Sequence, residues 1–344
     1  MLGKLILKDG SEFEGQSFGY EEARSGELVF STGMVGYPES LTDPSYEGQI
    51  LVSTYPIIGS YGVPEKKYWE SDRIHVSGLI VSQYIDTPSH FESKSTLSEW
   101  LKKEKVPGLV ILDTRYLTQK LRDKGAQLAK IIFEKDIQFD DPSKKNLVDE
   151  VSIKKPLIEG NGHKTIILID CGAKKSISRS LLDRGVKVIT VPWNFDIFSL
   201  KEEIDGVIIS NGPGDPKMCD ITIETVKKIF AKKIPLLGIC LGNQILALAT
   251  GGDTYKMKFG HRGQNQPCIM AGTKKCYLTT QNHGFAIGKI PKGFKPWFVN
   301  ANDDTNEGII HEKLPFMSVQ FHPEASPGPT DTEWIFDEFL KKIC

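Results

Sequence analysis

The chain has 344 residues, which suits two domains that each bury a core better than one. Its 43 basic and 44 acidic residues leave a net charge of −1, so net charge steers it toward neither nucleic acid nor an anionic membrane. The apolar start MLGKLILKDG meets Asp9 and Gly10 too soon for a secretory core or a spanning segment, and a cytoplasmic protein is expected.

From about Gly3 to Ile132 short apolar runs alternate with turn signals, and Asp9-Gly10 between two strand-like runs predicts a hairpin. Leu97, Trp100 and Leu101 share a helical face after Ser95-Thr96. Leu117 and Leu121 follow the cap Asp113-Thr114 in a second helix that stops at Gly125. The charged stretch Asp140 to Gly162, with two prolines and no sustained period, predicts a linker. The expected organisation is a strand-rich α/β domain over 1–140, a linker over 141–162 and a parallel-sheet α/β domain over 163–344. In that last domain TIILID, VKVITV, GVIIS and IPLLGI alternate with helical stretches. Ligands of such sheets bind at the carboxyl ends of the strands, where Asp170-Cys171-Gly172, Asn211 to Pro216 and Cys240-Leu241-Gly242 gather. No phosphate loop of the GxxxxGK[ST] type appears.

Six cysteines, Cys171, Cys219, Cys240, Cys268, Cys276 and Cys344, form no CxxC pair, so neither a zinc site nor a disulfide framework is predicted and packing is the default role of each. Cys240 differs from the rest. Gly238-Ile239-Cys240-Leu241-Gly242 sits between an apolar strand and a helix, the sequence form of a nucleophile elbow with cysteine in place of serine. A helix start also favours a thiolate. Such a nucleophile requires a base and a group that orients the base. Among seven histidines His322 stands out, because it ends the run PFMSVQF and is followed by Pro323 and Glu324. His75, His90, His163 and His311 have no carboxylate at useful spacing and read as solvated or packed. Backbone N–H groups for an oxyanion can come from Leu241, just after the nucleophile, and from Gly212 in the Asn211-Gly-Pro-Gly214 turn.

SNGPGDP, GICLGNQ, QNHGFA and FHPE, in that order, resemble the signatures of class I glutamine amidotransferases. The resemblance implies that Cys240 attacks the side-chain amide of glutamine to form a γ-glutamyl thioester. It also implies that His322 protonates departing ammonia and then activates water, and that Glu324 orients His322. STGMVGYPESLTDPSYEGQI, TYPIIGSYGV and DTRYLTQKLRDKGA, with KMKFGHRGQNQP further on, are similar to the small subunit of carbamoyl-phosphate synthetase. That likeness implies glutamine contacts at Ser45, Gly212, Gly214, Leu241, Gln244, Asn282, Gly284 and Phe285. It implies no metal or cofactor on this chain, and a large-subunit partner that carries ATP and magnesium and completes at least a heterodimer. No nucleic-acid or membrane partner is expected.

Two rival readings are an amidotransferase subunit of another synthetase and a non-catalytic docking subunit. The amino-terminal half speaks against the first, and the intact Cys240, His322 and Glu324 against the second. Asn243 and Gln266 stand where this subfamily more often has histidine. Because neither is nucleophile, base or orienter, the expectation is altered glutamine affinity or partner coupling with the chemistry retained. Cys171 stands where a bulky apolar residue is more usual and is expected to be a buried thiol.

Overall fold

In the computed structural model, which describes residues 1–343, the chain divides into two units, Met1–Lys145 and the residues from Asn146 onward. The first unit is a closed barrel of seven strands. The Asp9-Gly10 turn joins Leu2–Leu7 to Glu12–Ser17 as an antiparallel hairpin, with Gly10 at φ 87° where a side chain would be strained. Arg24–Ser31, Gln49–Ser53, Gly78–Val81 and Gly108–Val110 run parallel to one another, and Gln127–Ile132 closes the barrel by pairing with both Leu2–Leu7 and Arg24–Ser31. Both expected helices form. Leu97–Lys103 starts at a capping box in which the Thr96 hydroxyl accepts from the Glu99 N–H and the Glu99 carboxylate accepts from the Thr96 N–H. Thr114–Lys124 starts at Asp113, whose carboxylate accepts from the Tyr116 N–H, and ends at Gly125. Leu97, Trp100 and Leu101 bury against Val29, Leu51 and Leu79 of the barrel.

The second unit is built on a ten-stranded sheet. Its five central strands, in the order Lys187–Pro192, Thr165–Asp170, Gly206–Ile209, Leu236–Ile239 and Phe316–Val319, are all parallel. Their near-continuous apolar composition follows from burial on both faces. Ile167, Ile169, Val207 and Ile209 pack on one side with Val226, Ile229, Ile245 and Leu246, while Ile166, Leu168, Ile208 and Ile239 pack on the other with Ile177, Leu181, Phe336 and Phe339.

Beyond Phe316–Val319 the sheet continues antiparallel through Asn306–His311, Phe294–Asn300, Asp253–Met270 and Cys276–Lys289, an extension the strand-and-helix alternation did not announce. These strands are partly solvated and irregular, with register shifts such as that between Lys256 and His261, so their period is broken in the sequence.

The predicted linker needs correction. Asn146 caps a short helix, Leu147–Val151, whose Val148 joins the same cluster as Ile167, and Leu157–Glu159 adds an antiparallel edge strand to Lys187–Pro192. The boundary therefore falls at Lys145–Asn146, and 146–162 belongs to the second unit. The charged residues around Leu147 and Val148 masked the small apolar pair that anchors the segment. Among the described residues no helix is long and apolar enough to cross a membrane.

Phe298, fully buried with its ring 5.1 Å from that of Phe321, supports the second face of the sheet. Phe298→Ala should cost about 3–5 kcal/mol in chemical unfolding of this unit. A cost below about 1 kcal/mol would show that the surrounding rings close over the gap.

Candidate active site

Cys240 ends the strand Leu236–Ile239 and stands at the N-terminus of the helix Leu241–Ala249, with φ 52° and ψ −100°. A non-glycine residue is held there only by its surroundings. The flanking glycines are required sterically: a Cβ on Gly238 would lie 2.5 Å from the Gly242 carbonyl oxygen, and one on Gly242 would lie 2.3 Å from that of Ile209. The Cys240 N–H donates to the Val319 carbonyl at 2.8 Å, which ties the turn to the neighbouring strand. The expected elbow is present.

Phe316–Val319 runs parallel to the elbow strand and leads to His322. The His322 N–H donates to the Thr280 carbonyl at 2.9 Å, so the imidazole is fixed from its backbone. Its Nδ1 lies 2.6 Å from Glu324 Oε1, and both side chains are buried. Nε2 makes no hydrogen bond of ordinary geometry, and Cys240 is the other side chain whose hydrogen bonding bears on the ring. Burial opposes a charge on His322, but the Glu324 carboxylate outweighs it and raises the imidazole's proton affinity above the ordinary range. Burial likewise works against ionised Glu324, yet Lys174 and His322 hold it below the usual carboxylate value. The nucleophile, base and orienter expected from the sequence are thus brought together.

Lys174 is the residue that reading missed. Its Nζ lies 3.2 Å from Glu324 Oε1 with both side chains buried, and its N–H donates to Asn211 Oδ1 at 3.1 Å. The lysine in DCGAKKS follows a strand end and was visible as part of a cluster, but a charge after a strand ordinarily faces water, so its burial could not be read.

Of the residues that the family likeness implies for glutamine, several adjoin Cys240. Its Sγ donates to the Asn282 carbonyl at 3.7 Å, and Gln244 Nε2 donates to the Phe285 carbonyl at 2.8 Å. A Cβ on Gly212 would lie 2.0 Å from the Cys171 carbonyl oxygen and 2.9 Å from Leu241 Cδ2, so this backbone passes directly beside the first residue of the elbow helix. The Leu241 N–H is one of the helix-opening donors that lack an intrahelical acceptor. Gly214 takes φ 85°, and Gly284 borders the Arg262 guanidinium. Ser45 belongs to the first unit, where its N–H donates to Asp43 Oδ1 at 2.9 Å.

Cys171 is fully buried, and burial pushes its thiol well up. His90 and His163 are exposed, and His311 Nδ1 accepts from the N–H groups of Lys313 and Leu314. His75 is buried, in line with the packed reading, and its Nδ1 lies 2.6 Å from Glu47 Oε2, a partner 28 residues away that local spacing could not reveal.

Among the described residues His261, His283 and Glu307 are the group that could hold a metal ion, with ligand atoms within 4.8 Å of one another. Their hydrogen bonds already describe an ion pair. His261 bridges Asp303 Oδ2 at 2.9 Å and Glu307 Oε1 at 3.1 Å, and although burial opposes its charge these carboxylates raise it. His283 is held well below its usual value by burial and lies with Nδ1 2.8 Å from the Phe285 carbonyl, hence donating to it.

The family model for glutamine amidotransferase class-I matches residues 167–342, and the chain belongs to that family. Its first unit is matched over residues 5–131 by the family model for the CPSase domain of the carbamoyl-phosphate synthase small chain. It is 47% identical to multifunctional protein URA2 of Saccharomyces cerevisiae over 389 aligned residues, covering 99% of this chain and 18% of that one. It is 50% identical to multifunctional protein CAD of Squalus acanthias, covering 99% of this chain and 16% of that one. It is 47% identical to mitochondrial carbamoyl-phosphate synthase (ammonia) of Mus musculus, covering 98% of this chain and 23% of that one. The chain thus spans about a fifth of the length of these relatives.

Lys174→Met removes one cation from a buried carboxylate and should cost about 3–5 kcal/mol near neutral pH. Because Glu324 sits below its ordinary 4.5 in the folded chain, its ion-pair stabilisation is complete above that pH and lost as pH falls through the lowered folded value. Unfolding curves should therefore show the gap between wild type and Lys174→Met narrowing below about pH 4.5. A gap constant down to pH 2 would mean that the lysine stabilises through packing.

Proposed function

We propose that this chain hydrolyses the side-chain amide of glutamine and supplies the ammonia for carbamoyl phosphate synthesis. The observation that carries the reading is the Cys240 elbow set against the buried His322–Glu324 pair. The Cys240 sulfur attacks the amide carbon and the thiol proton passes to His322. His322 returns a proton to the leaving nitrogen, releasing ammonia and leaving a γ-glutamyl thioester. His322 then takes a proton from water, whose oxygen attacks the thioester, and glutamate departs as the sulfur is released. Glu324 keeps the Nδ1 proton in place through both halves, and the N–H groups of Gly212 and Leu241 receive the developing oxyanion. Gly214, Gln244, Asn282, Gly284 and Phe285 bind the substrate.

ATP, magnesium and bicarbonate belong to a synthetase partner, a large subunit that takes the ammonia before water protonates it. The small-chain domain of the first unit supports this coupling over service to another synthetase. The lengths of the relatives favour a second arrangement of the same chemistry, in which glutaminase and synthetase lie on one continuous chain. Free cysteines throughout both faces of the second unit suit a reducing compartment, and we place the protein in the cytoplasm.

Glutamine-dependent carbamoyl phosphate formation by the chain with its synthetase component, with Cys240→Ala in parallel, tests the reading. The variant should lose at least about a thousandfold of the glutamine-dependent rate while keeping the rate supported by added ammonia. Normal glutamine hydrolysis with no carbamoyl phosphate from any synthetase component would leave a glutaminase and overturn the coupling.

A further inference from the structure

Gln320 lies between the base and the strand that leads to it, is fully buried, and is not among the residues assigned a role above. Its side chain sits inside a chain of hydrogen bonds whose polarity can be followed from one fixed end. The Phe285 carbonyl only accepts, so the Gln244 amide that meets it at 2.8 Å must present Nε2. The same Gln244 Nε2 lies 3.1 Å from Gln320, which must therefore present Oε1. Asn243 is consistent with this: its Nδ2 donates to Gln320 Oε1 at 3.1 Å, and its Oδ1 then accepts from the Ser318 hydroxyl at 2.7 Å. With Oε1 held by two donors, Gln320 Nε2 faces the other way, and it meets Cys240 Sγ at 3.7 Å.

We infer, on the reading that Cys240 is the nucleophile, that Gln320 donates a hydrogen bond to the reacting sulfur when it carries negative charge, and that Asn243 and Gln244 are the positioning residues that aim it.

The thiol form has its own acceptor, the Asn282 carbonyl at 3.7 Å. The sulfur therefore faces an acceptor while protonated and a donor once ionised. A neutral amide suits the second position, because it stabilises the anion without competing for the proton that His322 must receive. Two amide donors on Oε1 also polarise the Gln320 N–H, which strengthens its donation inside a dry site.

The test is the pH dependence of Cys240 alkylation by iodoacetamide in the full chain, followed by mass spectrometry of the Cys240 peptide so that exposed Cys276 does not interfere. Gln320→Met keeps the volume and removes the donor, and its midpoint should rise by about one pH unit. Gln320→Glu sets a carboxylate against the sulfur and should raise the midpoint further. Asn243→Leu, which releases the clamp without touching the sulfur, should give a smaller rise. Asn243→His, which keeps one donor and one acceptor, should give a smaller rise still. A role confined to packing would leave every midpoint in place while lowering thermal stability. Unmoved midpoints in the Gln320 variants overturn the inference, and if those variants fail to fold, an unmoved midpoint in Asn243→Leu does so. Alkylation requires no turnover, so a wild-type chain that never hydrolyses glutamine would defeat the proposed function while the midpoints still decide the role of Gln320.

Discussion

A strained turn at Cys240 is what the rest of the second unit is arranged to hold. The backbone there enters a region that a side-chain-bearing residue occupies only under constraint, at a cost on the order of 1–3 kcal/mol. Three features oppose relaxation: absent side chains at Gly238 and Gly242, a Cys240 N–H bonded to Val319, and a helix packed by Ile245 and Leu246 into the apolar face of the sheet. They draw on two neighbouring strands and the helix that follows the turn. The parallel sheet therefore does more than fill a core, because its neighbouring strands supply the carbonyls that meet the turn at van der Waals limits.

The second constraint is electrostatic. Lys174, His322 and Glu324 are each buried, and a single ion among them would be costly to keep in that setting. Together they are mutually neutralising, with one carboxylate between an ammonium and an imidazole. The arrangement keeps Glu324 ionised, and an ionised Glu324 fixes the proton of His322 on Nδ1. Lys174 thus acts on His322 through Glu324, and its own backbone N–H reaches Asn211 beside the glycine turn. One residue links the charge of the buried Glu324–His322 pair to the Asn211–Gly214 turn.

How far this was legible in the sequence depends on the range of the interaction. The elbow was legible because its reason is local: two glycines around a cysteine between an apolar run and a helix describe the steric problem and its solution in five residues. The His322–Glu324 pair was legible for the same reason, two residues on a proline-fixed segment. The four parallel strands that precede the elbow helix were legible because burial on both faces leaves unbroken apolar runs. Lys174 was not, since its partner lies 150 residues away and its charge argued for solvent. The helix at Leu147 and the edge strand at Leu157 were hidden by the lysines and acids around them. The antiparallel extension was hidden by irregular pairing, which erased the alternation that marks a half-buried strand.

Asn243 shows how a departure from a family pattern acquires a physical meaning only in place. At this position the side chain must accept from Ser318 and donate to Gln320, one hydrogen bond of each kind. Neutral histidine offers one donor and one acceptor, and so does an asparagine used in this way. The exchange therefore conserves what the site requires, although the two side chains differ in size and in capacity for charge. Asparagine has the further property that it cannot take up a proton beside the sulfur. A histidine in the same place would need its neighbours to suppress its charge, a demand already met at His283 by full burial. The polar network behind Cys240 is thus built from the non-titrating amides of Asn243, Gln244 and Gln320.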